Sequence, residues 1–218
     1  GTGGHIFPAI NLMKHVFEKE YEVLLVTDVR GNKFIKNFKG IKSYVLKAGT
    51  PTNKNIVKKF ISLFVIFYSF IQSIIIIKKE KPNLIFGFGG YVSFPISFAS
   101  KFFKIPLIIY ENNVILGRTN KYLLSTAKKI FVANMELKNF PTKYKHKVCE
   151  IGSILDKNII NNLTLKKNSD DNSFSILVLG GSQGAEIFGK IIPSVIKMII
   201  NQGYKIKIIQ QCIDEQKK

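Results

Sequence analysis

Six short runs rich in β-branched and aromatic residues punctuate the first 153 positions: YEVLLVT (21–27), KSYVLKA (42–48), PNLIFGFGG (82–90), IPLIIYENN (105–113), KIFVAN (129–134) and KVCEIGS (147–153). Most of them end in glycine or a polar cluster, and helical patterns intervene at about 7–19, 55–79, 92–103 and 118–127. Strands that alternate with helices cannot pair as hairpins, because each helix carries the chain back to start the next strand in the same direction. The pattern therefore predicts an α/β fold, a doubly wound parallel sheet with helices on both faces. In such sheets ligands bind at the carboxyl ends of the strands. The unusual residues collect there, in the loops GFGGYVS, YENN and IGS.

The polar stretch NNLTLKKNSDDNS (161–173) reads as a linker. After it, FSILVLGGSQGAEIFGKIIPSVIKMII gives a strand, a glycine turn and a helix, and YKIKIIQ gives a second strand. The expected organisation is one domain over 1–160, a linker over 161–173 and the opening βαβ unit of a second domain over 174–218. One βαβ unit cannot cover a sheet, and no strand precedes the glycine loop at residue 1. The chain accordingly reads as truncated at both ends, with no signal peptide ahead of that loop.

The formal charge of +19 comes almost wholly from lysine, since Arg30 and Arg118 are the only arginines. No arginine-rich or aromatic-interleaved basic strip and no zinc spacing supports a nucleic-acid partner. A solvated lysine surface or an anionic membrane are the readings that remain. Cys149 and Cys212 stand in no metal or CxxC spacing. A reducing compartment and two core thiols are expected.

The segment 60–77, FISLFVIFYSFIQSIIII, runs 18 residues without a charge, the threshold length for a membrane span. Yet Lys58, Ser62, Ser69, Ser73 and Glu80 are spaced to share one helical face. An amphipathic helix is expected, either packing its polar edge along the domain or lying among lipid headgroups with Lys58, Lys59, Lys78, Lys79 and Lys81 at its flanks. A span is disfavoured because it would have to cross between two strands of one sheet.

GTGGH (1–5) opens a helix with Pro8 expected in its first turn, and glycine N–H groups at a helix N-terminus can approach a phosphate closely. They can equally form a plain tight turn. His5 is a candidate general base, since an imidazole titrates near neutral pH, or else a capping or solvent-facing residue. His15 and His146 have no such setting. Glu111, Asn112 and Asn113 follow an apolar strand and suit sugar hydroxyls, or serve as turn formers. GGSQGA (180–185) follows a strand and precedes a helix, but its spacing is not the dinucleotide fingerprint, which disfavours a dehydrogenase. Ser182 can donate to a diphosphate or cap its own helix.

GTGGHIFPAI, GFGGYVSFP, YENNVILGRTNK and GGSQGA, in this order and at these separations, resemble the MurG family of peptidoglycan glycosyltransferases, within glycosyltransferase family 28, over nearly the whole chain. The resemblance implies a GT-B fold, with two Rossmann-like domains facing a cleft, the acceptor on the N-terminal one and the UDP-sugar held mainly by the C-terminal one. It implies an inverting transfer of N-acetylglucosamine from UDP-GlcNAc to the muramoyl 4-hydroxyl of lipid I, giving lipid II, with no metal or other cofactor. The setting it implies is peripheral, on the cytoplasmic face of the bacterial inner membrane. His5 takes the place of the base; Thr2, Gly3, Gly4, Tyr91, Glu111, Asn113, Ser182 and Gln183 take those of substrate-binding residues. Phe60, Phe64, Phe67, Phe70 and Ile71 fall where the family touches anionic membrane.

Three departures accompany the match. The family's EQN is ENN here. Its GNPVR is GSILD (152–156), so Asp156 replaces a diphosphate-facing arginine, with Lys157 adjacent. The chain also ends where uracil and ribose contacts should begin, so these 218 residues are expected not to turn over substrate alone. The other reading is an inactive or split half that binds acceptor and membrane.

Overall fold

A computed structural model describes residues 3–35, 38, 40–47, 49, 56–162, 174–180 and 186–211, apart from the side chains at 56, 58 and 59. The chain divides into two compact units, residues 1–162 and 163–218.

In the first unit α1 (Gly3–Phe17) is followed by β1 (Leu24–Thr27), α2 (Val29–Asn32), β2 (Lys42–Val45), α3 (Ile56–Glu80), β3 (Ile85–Gly87), α4 (Ser93–Ala99), β4 (Leu107–Glu111), α5 (Arg118–Leu123), β5 (Lys129–Val132), β6 (Val148–Glu150) and α6 (Lys157–Asn162). β1 pairs with β2, and β3-β4-β5-β6 form a four-stranded sheet; every pairing is parallel. Such strands bury both faces, and the central ones read as near-continuous apolar runs. Leu107 and Ile109 of β4 and Ile130 and Val132 of β5 are accordingly buried against Ile76 and Ile77 of α3, Ile96 and Ala99 of α4, and Leu123. Each such side chain contributes roughly 1.5–3 kcal/mol by leaving water. A second cluster joins Ile6, Ala9, Ile10 and Met13, one face of α1, to Leu25 and Ile35.

The structure departs from sequence expectation at several boundaries. α1 begins at Gly3, not near residue 7, so His5 lies inside the helix and Pro8 in its second turn. The first N–H groups of a helix lack intrahelical acceptors, so those of Gly3 and Gly4 have none within α1. The 92–103 helix is α-helical only to Ala99 and finishes as a 3-10 turn, Ser100–Phe103, closed by left-handed Lys104. α5 stops at Leu123, and the amides of Thr126 and Ala127 both donate to the Leu123 carbonyl. Cys149 is exposed, not a core thiol, because β6 is an edge strand. Cys212 lies outside the described residues.

In the second unit β7 (Phe174–Val178) and β8 (Ile206–Gln210) pair in parallel, from Phe174 opposite Ile206 to Val178 opposite Gln210, with α7 (Glu186–Asn201) between them in the chain. Among its described residues none is buried, although β7 is as apolar as β4.

Candidate functional site

β3 ends at Gly87, and the chain then turns through Gly89 and Gly90, at φ +80° and +74°. That left-handed region costs an L-residue about 1–2 kcal/mol. The turn is fixed by the amide and hydroxyl of Ser93, which both donate to the Gly90 carbonyl, at 3.2 and 3.0 Å. His5 packs on this turn. A Cβ added at Gly89 would sit 3.2 Å from His5 Cε1, and one at Gly90 would sit 3.4 Å from His5 Cδ2. The glycines thus give the imidazole its resting place as well as shaping the turn.

The neighbouring strand supplies a carboxylate held from all sides. Glu111, 1% exposed, ends β4. Its Oε1 accepts from the amide and the side-chain Nδ2 of Asn113, at 3.1 and 2.9 Å. Its Oε2 accepts from the Gly117 amide and from Asn120 Nδ2, at 2.8 and 3.0 Å. Four N–H donors offset the desolvation of the charge, which would otherwise be severe. Glu111 therefore works on the loop, pinning residues 113–120. Asn120 also donates from Nδ2 to the Tyr110 carbonyl at 3.0 Å. With its NH₂ committed to two acceptors the amide orientation is fixed, and the buried Oδ1 has no partner among the described residues.

Tyr110 ties the next loop to the same place. Its hydroxyl lies 3.1 Å from both Asn112 Oδ1 and the Gly152 carbonyl and accepts from the Ile154 amide at 3.3 Å. Burial pushes this phenol up from its ordinary range.

His5, Gly89, Gly90, Tyr91, Glu111, Gly117, Arg118, Thr119 and Asn120 line a pocket of about 170 Å³. That is less than the few hundred Å³ of sites for whole drug-sized ligands, and it suits one sugar ring or a pair of phosphates. Of the residues singled out from sequence, the pocket unites His5, Tyr91 and Glu111. Gly3 and Gly4 lie in the first turn of α1, outside the lining. Asn113 is exposed, its amide held by Glu111. Thr2, Ser182 and Gln183 lie outside the described residues. Arg118, Thr119, Asn120 and Tyr110 had no role assigned from sequence, although all but Tyr110 fall within the quoted GRTNK run and Tyr110 opens the YENN loop.

Asp156 is occupied within its own unit. Its Oδ1 accepts from the Asn158 amide at 2.9 Å, opening α6, and its Oδ2 pairs with Lys14 of α1 at 3.3 Å. These contacts, the backbone one foremost, hold its carboxyl below the usual range. Lys157 pairs with Glu18, also of α1. The segment after β6 is thus laced to α1, with the Asn11 side chain donating to the Ile154 carbonyl as well.

A second surface lies on α3. Ser69 and Ser73 are fully buried: Ser69 Oγ donates to the Lys47 carbonyl at 2.8 Å and Ser73 Oγ to the Ser69 carbonyl at 2.7 Å. At its end Glu80 accepts from Lys42 and from the Tyr44 hydroxyl, both at 2.6 Å. The polar stripe faces inward, which turns Phe60, Phe64, Phe67 and Ile71 out to solvent, Phe64 at 73% exposure. Phe70 differs from the expectation for it. It is half-buried, packed on Phe98 and Phe102 with ring centroids 5.9 and 5.8 Å away, because its position falls at the margin of the inward face. Residues 60–80 are long and apolar enough to cross a membrane, with mean hydropathy 2.4. Their inner face packs on the core.

The parallel sheet thus carries a glycine turn, a helix-borne histidine and a pinned acidic loop at its carboxyl edge, and similarity to known proteins gives the class of protein. Residues 1–132 match the glycosyltransferase family 28 N-terminal domain, and the chain belongs to that family. All of it aligns with the UDP-N-acetylglucosamine–N-acetylmuramyl-(pentapeptide) pyrophosphoryl-undecaprenol N-acetylglucosamine transferases of Rickettsia bellii, at 34% identity, and Rickettsia canadensis, at 36%. It spans 61% of the length of each. The crystal structure of Acinetobacter baumannii MurG superposes with a TM-score of 0.74 at 26% identity, over 99% of this chain and 59% of that one. The fold is thus α/β of the GT-B glycosyltransferase class.

Proposed function

We propose that this chain forms the acceptor-binding, membrane-facing part of an inverting glycosyltransferase that moves N-acetylglucosamine from UDP-GlcNAc to the muramoyl 4-hydroxyl of lipid I, yielding lipid II. The observation that carries the reading is the alignment of the whole chain at 34–36% identity with relatives named for that transfer. The site supports it. His5, against the glycine turn at the pocket's edge, takes the proton from the attacking hydroxyl as the new glycosidic bond forms and the bond to UDP breaks. Gly3 and Gly4 present the amide end of α1 to the leaving diphosphate. Tyr91 and Asn113 orient sugar groups, and Glu111 holds the loop that carries Asn113.

The outward face of α3 supports a peripheral site on the cytoplasmic side of the inner membrane. Phe60, Phe64, Phe67 and Ile71 enter the headgroup layer while flanking lysines meet anionic lipid. The domain limits that go with this reading are 1–160, a linker over 161–173, and the start of a sugar-nucleotide domain at 174.

The test joins residues 1–162 in frame to the C-terminal part of the Acinetobacter baumannii enzyme and follows transfer of labelled N-acetylglucosamine to lipid I. Product should form, and His5→Ala should slow it by roughly 10²- to 10⁴-fold. A folded chimera without transfer, or with unchanged transfer after His5→Ala, contradicts the proposal. The 218-residue chain alone should give no product.

A further inference from the structure

We propose that Arg118 anchors the diphosphate of a sugar-diphosphate ligand in the pocket beside His5, an inference that rests on the transferase reading above. In a chain that otherwise uses lysine for positive charge, its two arginines stand in different circumstances. Arg30 is committed: its Nε and Nη2 both donate to Asp28 Oδ2, at 3.0 and 2.9 Å. Arg118 lines the pocket and makes no ion pair among the described residues. A guanidinium presents a rigid fork of donors that matches paired phosphate oxygens, which an ammonium does not.

The charges around it need that cation. Glu111 is the one carboxylate in the lining, so without Arg118 the pocket would repel an anion. The other cations near the loops at 152–157 are engaged, Lys14 by Asp156 and Lys157 by Glu18.

Asn120 points to the rest of the ligand. Its Oδ1 is an acceptor, 1% exposed as a residue, with no partner among the described residues. A buried acceptor in that condition calls for a donor. A sugar hydroxyl beside the diphosphate provides one, and Asn120 lines the pocket together with Arg118. Both UDP-GlcNAc and a lipid-linked diphosphate have this chemistry.

The experiment titrates the intact chain, as wild type, Arg118→Ala and Arg118→Lys, with UDP-GlcNAc, with farnesyl diphosphate and with free N-acetylglucosamine, by calorimetry. Arg118→Ala should weaken at least one diphosphate by roughly 10- to 100-fold, Arg118→Lys should recover only part, and the neutral sugar should bind the same throughout. A loss confined to UDP-GlcNAc identifies the nucleotide sugar as the source of the diphosphate; a loss confined to farnesyl diphosphate identifies the lipid. Because Arg118 is exposed, the melting temperature of the variants should equal that of wild type, separating binding from folding. Equal affinity of wild type and Arg118→Ala for both diphosphates overturns the inference and leaves the transferase reading standing. A wild-type chain that binds neither compound also overturns the inference, while transfer by the chimera decides the transferase reading.

Discussion

Buried polar groups hold two regions of the first unit, with opposite results at the surface. At the β4–α5 corner a carboxylate is buried and four N–H donors converge on it, so that the loop around it is rigid and its outer side is a small polar pocket. On α3 two serine hydroxyls are buried, and the helix they orient turns phenylalanines to solvent. In both places the polar group inside decides what is presented outside. The corner presents a small polar pocket, and the helix presents an apolar face.

The sharpest way to break the corner is Glu111→Ala. Donors at Gly117 and Asn120 lose their acceptor in a buried setting, and stability should fall by about 3 kcal/mol in urea denaturation. A loss below about 1 kcal/mol would mean that the carboxylate does not hold the loop. Next comes Gly89→Ala, which forces an L-residue to φ +80° and sets a Cβ 3.2 Å from His5 Cε1. A loss of about 1–2 kcal/mol is expected, together with a shift of the His5 ring resonances in NMR.

On α3 the usual ranking of core and surface substitutions inverts in polarity. Ser69→Ala, which deprives the Lys47 carbonyl of its donor, should lose about 1 kcal/mol. Phe64→Ser should change stability by less than about 0.5 kcal/mol, because that ring packs on little. Similar losses from the two would erase the distinction between the faces.

The smallest effect is electrostatic. The hydrogen bond from Lys42, then that from the Tyr44 hydroxyl, holds the Glu80 carboxyl below its ordinary value, and the Asn158 amide, then Lys14, does the same for Asp156. A carboxyl lowered on folding contributes stability above the unfolded pKa and loses it as pH falls through the folded one. Urea midpoints should therefore decline below about pH 4, and Glu80→Gln should flatten part of that decline.

Much of this was legible in the sequence. The six β-rich runs of the first unit each became a strand because alternation with helices admits little besides a parallel sheet. The spacing of Ser62, Ser69, Ser73 and Glu80 placed them on one side of α3. Periodicity says which residues share a face, but which face turns inward depends on distant partners, here the Lys47 carbonyl, Lys42 and Tyr44. Phe70, half-buried against Phe98 and Phe102, shows that dependence. His5, Tyr91 and Glu111 carried visible signals, whereas Asn120 and Arg118 did not. Their meaning arises only when Glu111, nine residues before Asn120, folds the loop back onto the strand end. Asp156 showed its reversed charge in the sequence, and its pairing with Lys14, 142 residues away, needed the fold.

If the pocket and the α3 face serve one lipid-linked substrate, they must act together. The most direct test is sedimentation of the intact chain with anionic vesicles that do or do not contain lipid I, beside titration with a soluble sugar diphosphate. Vesicles bearing lipid I should bind more tightly than either bare vesicles or the soluble compound, by an amount that Phe64→Ser/Phe67→Ser reduces without altering soluble binding. Equal binding to vesicles with and without lipid I, or no effect of the α3 substitutions on vesicle binding, would contradict the shared role of the two surfaces.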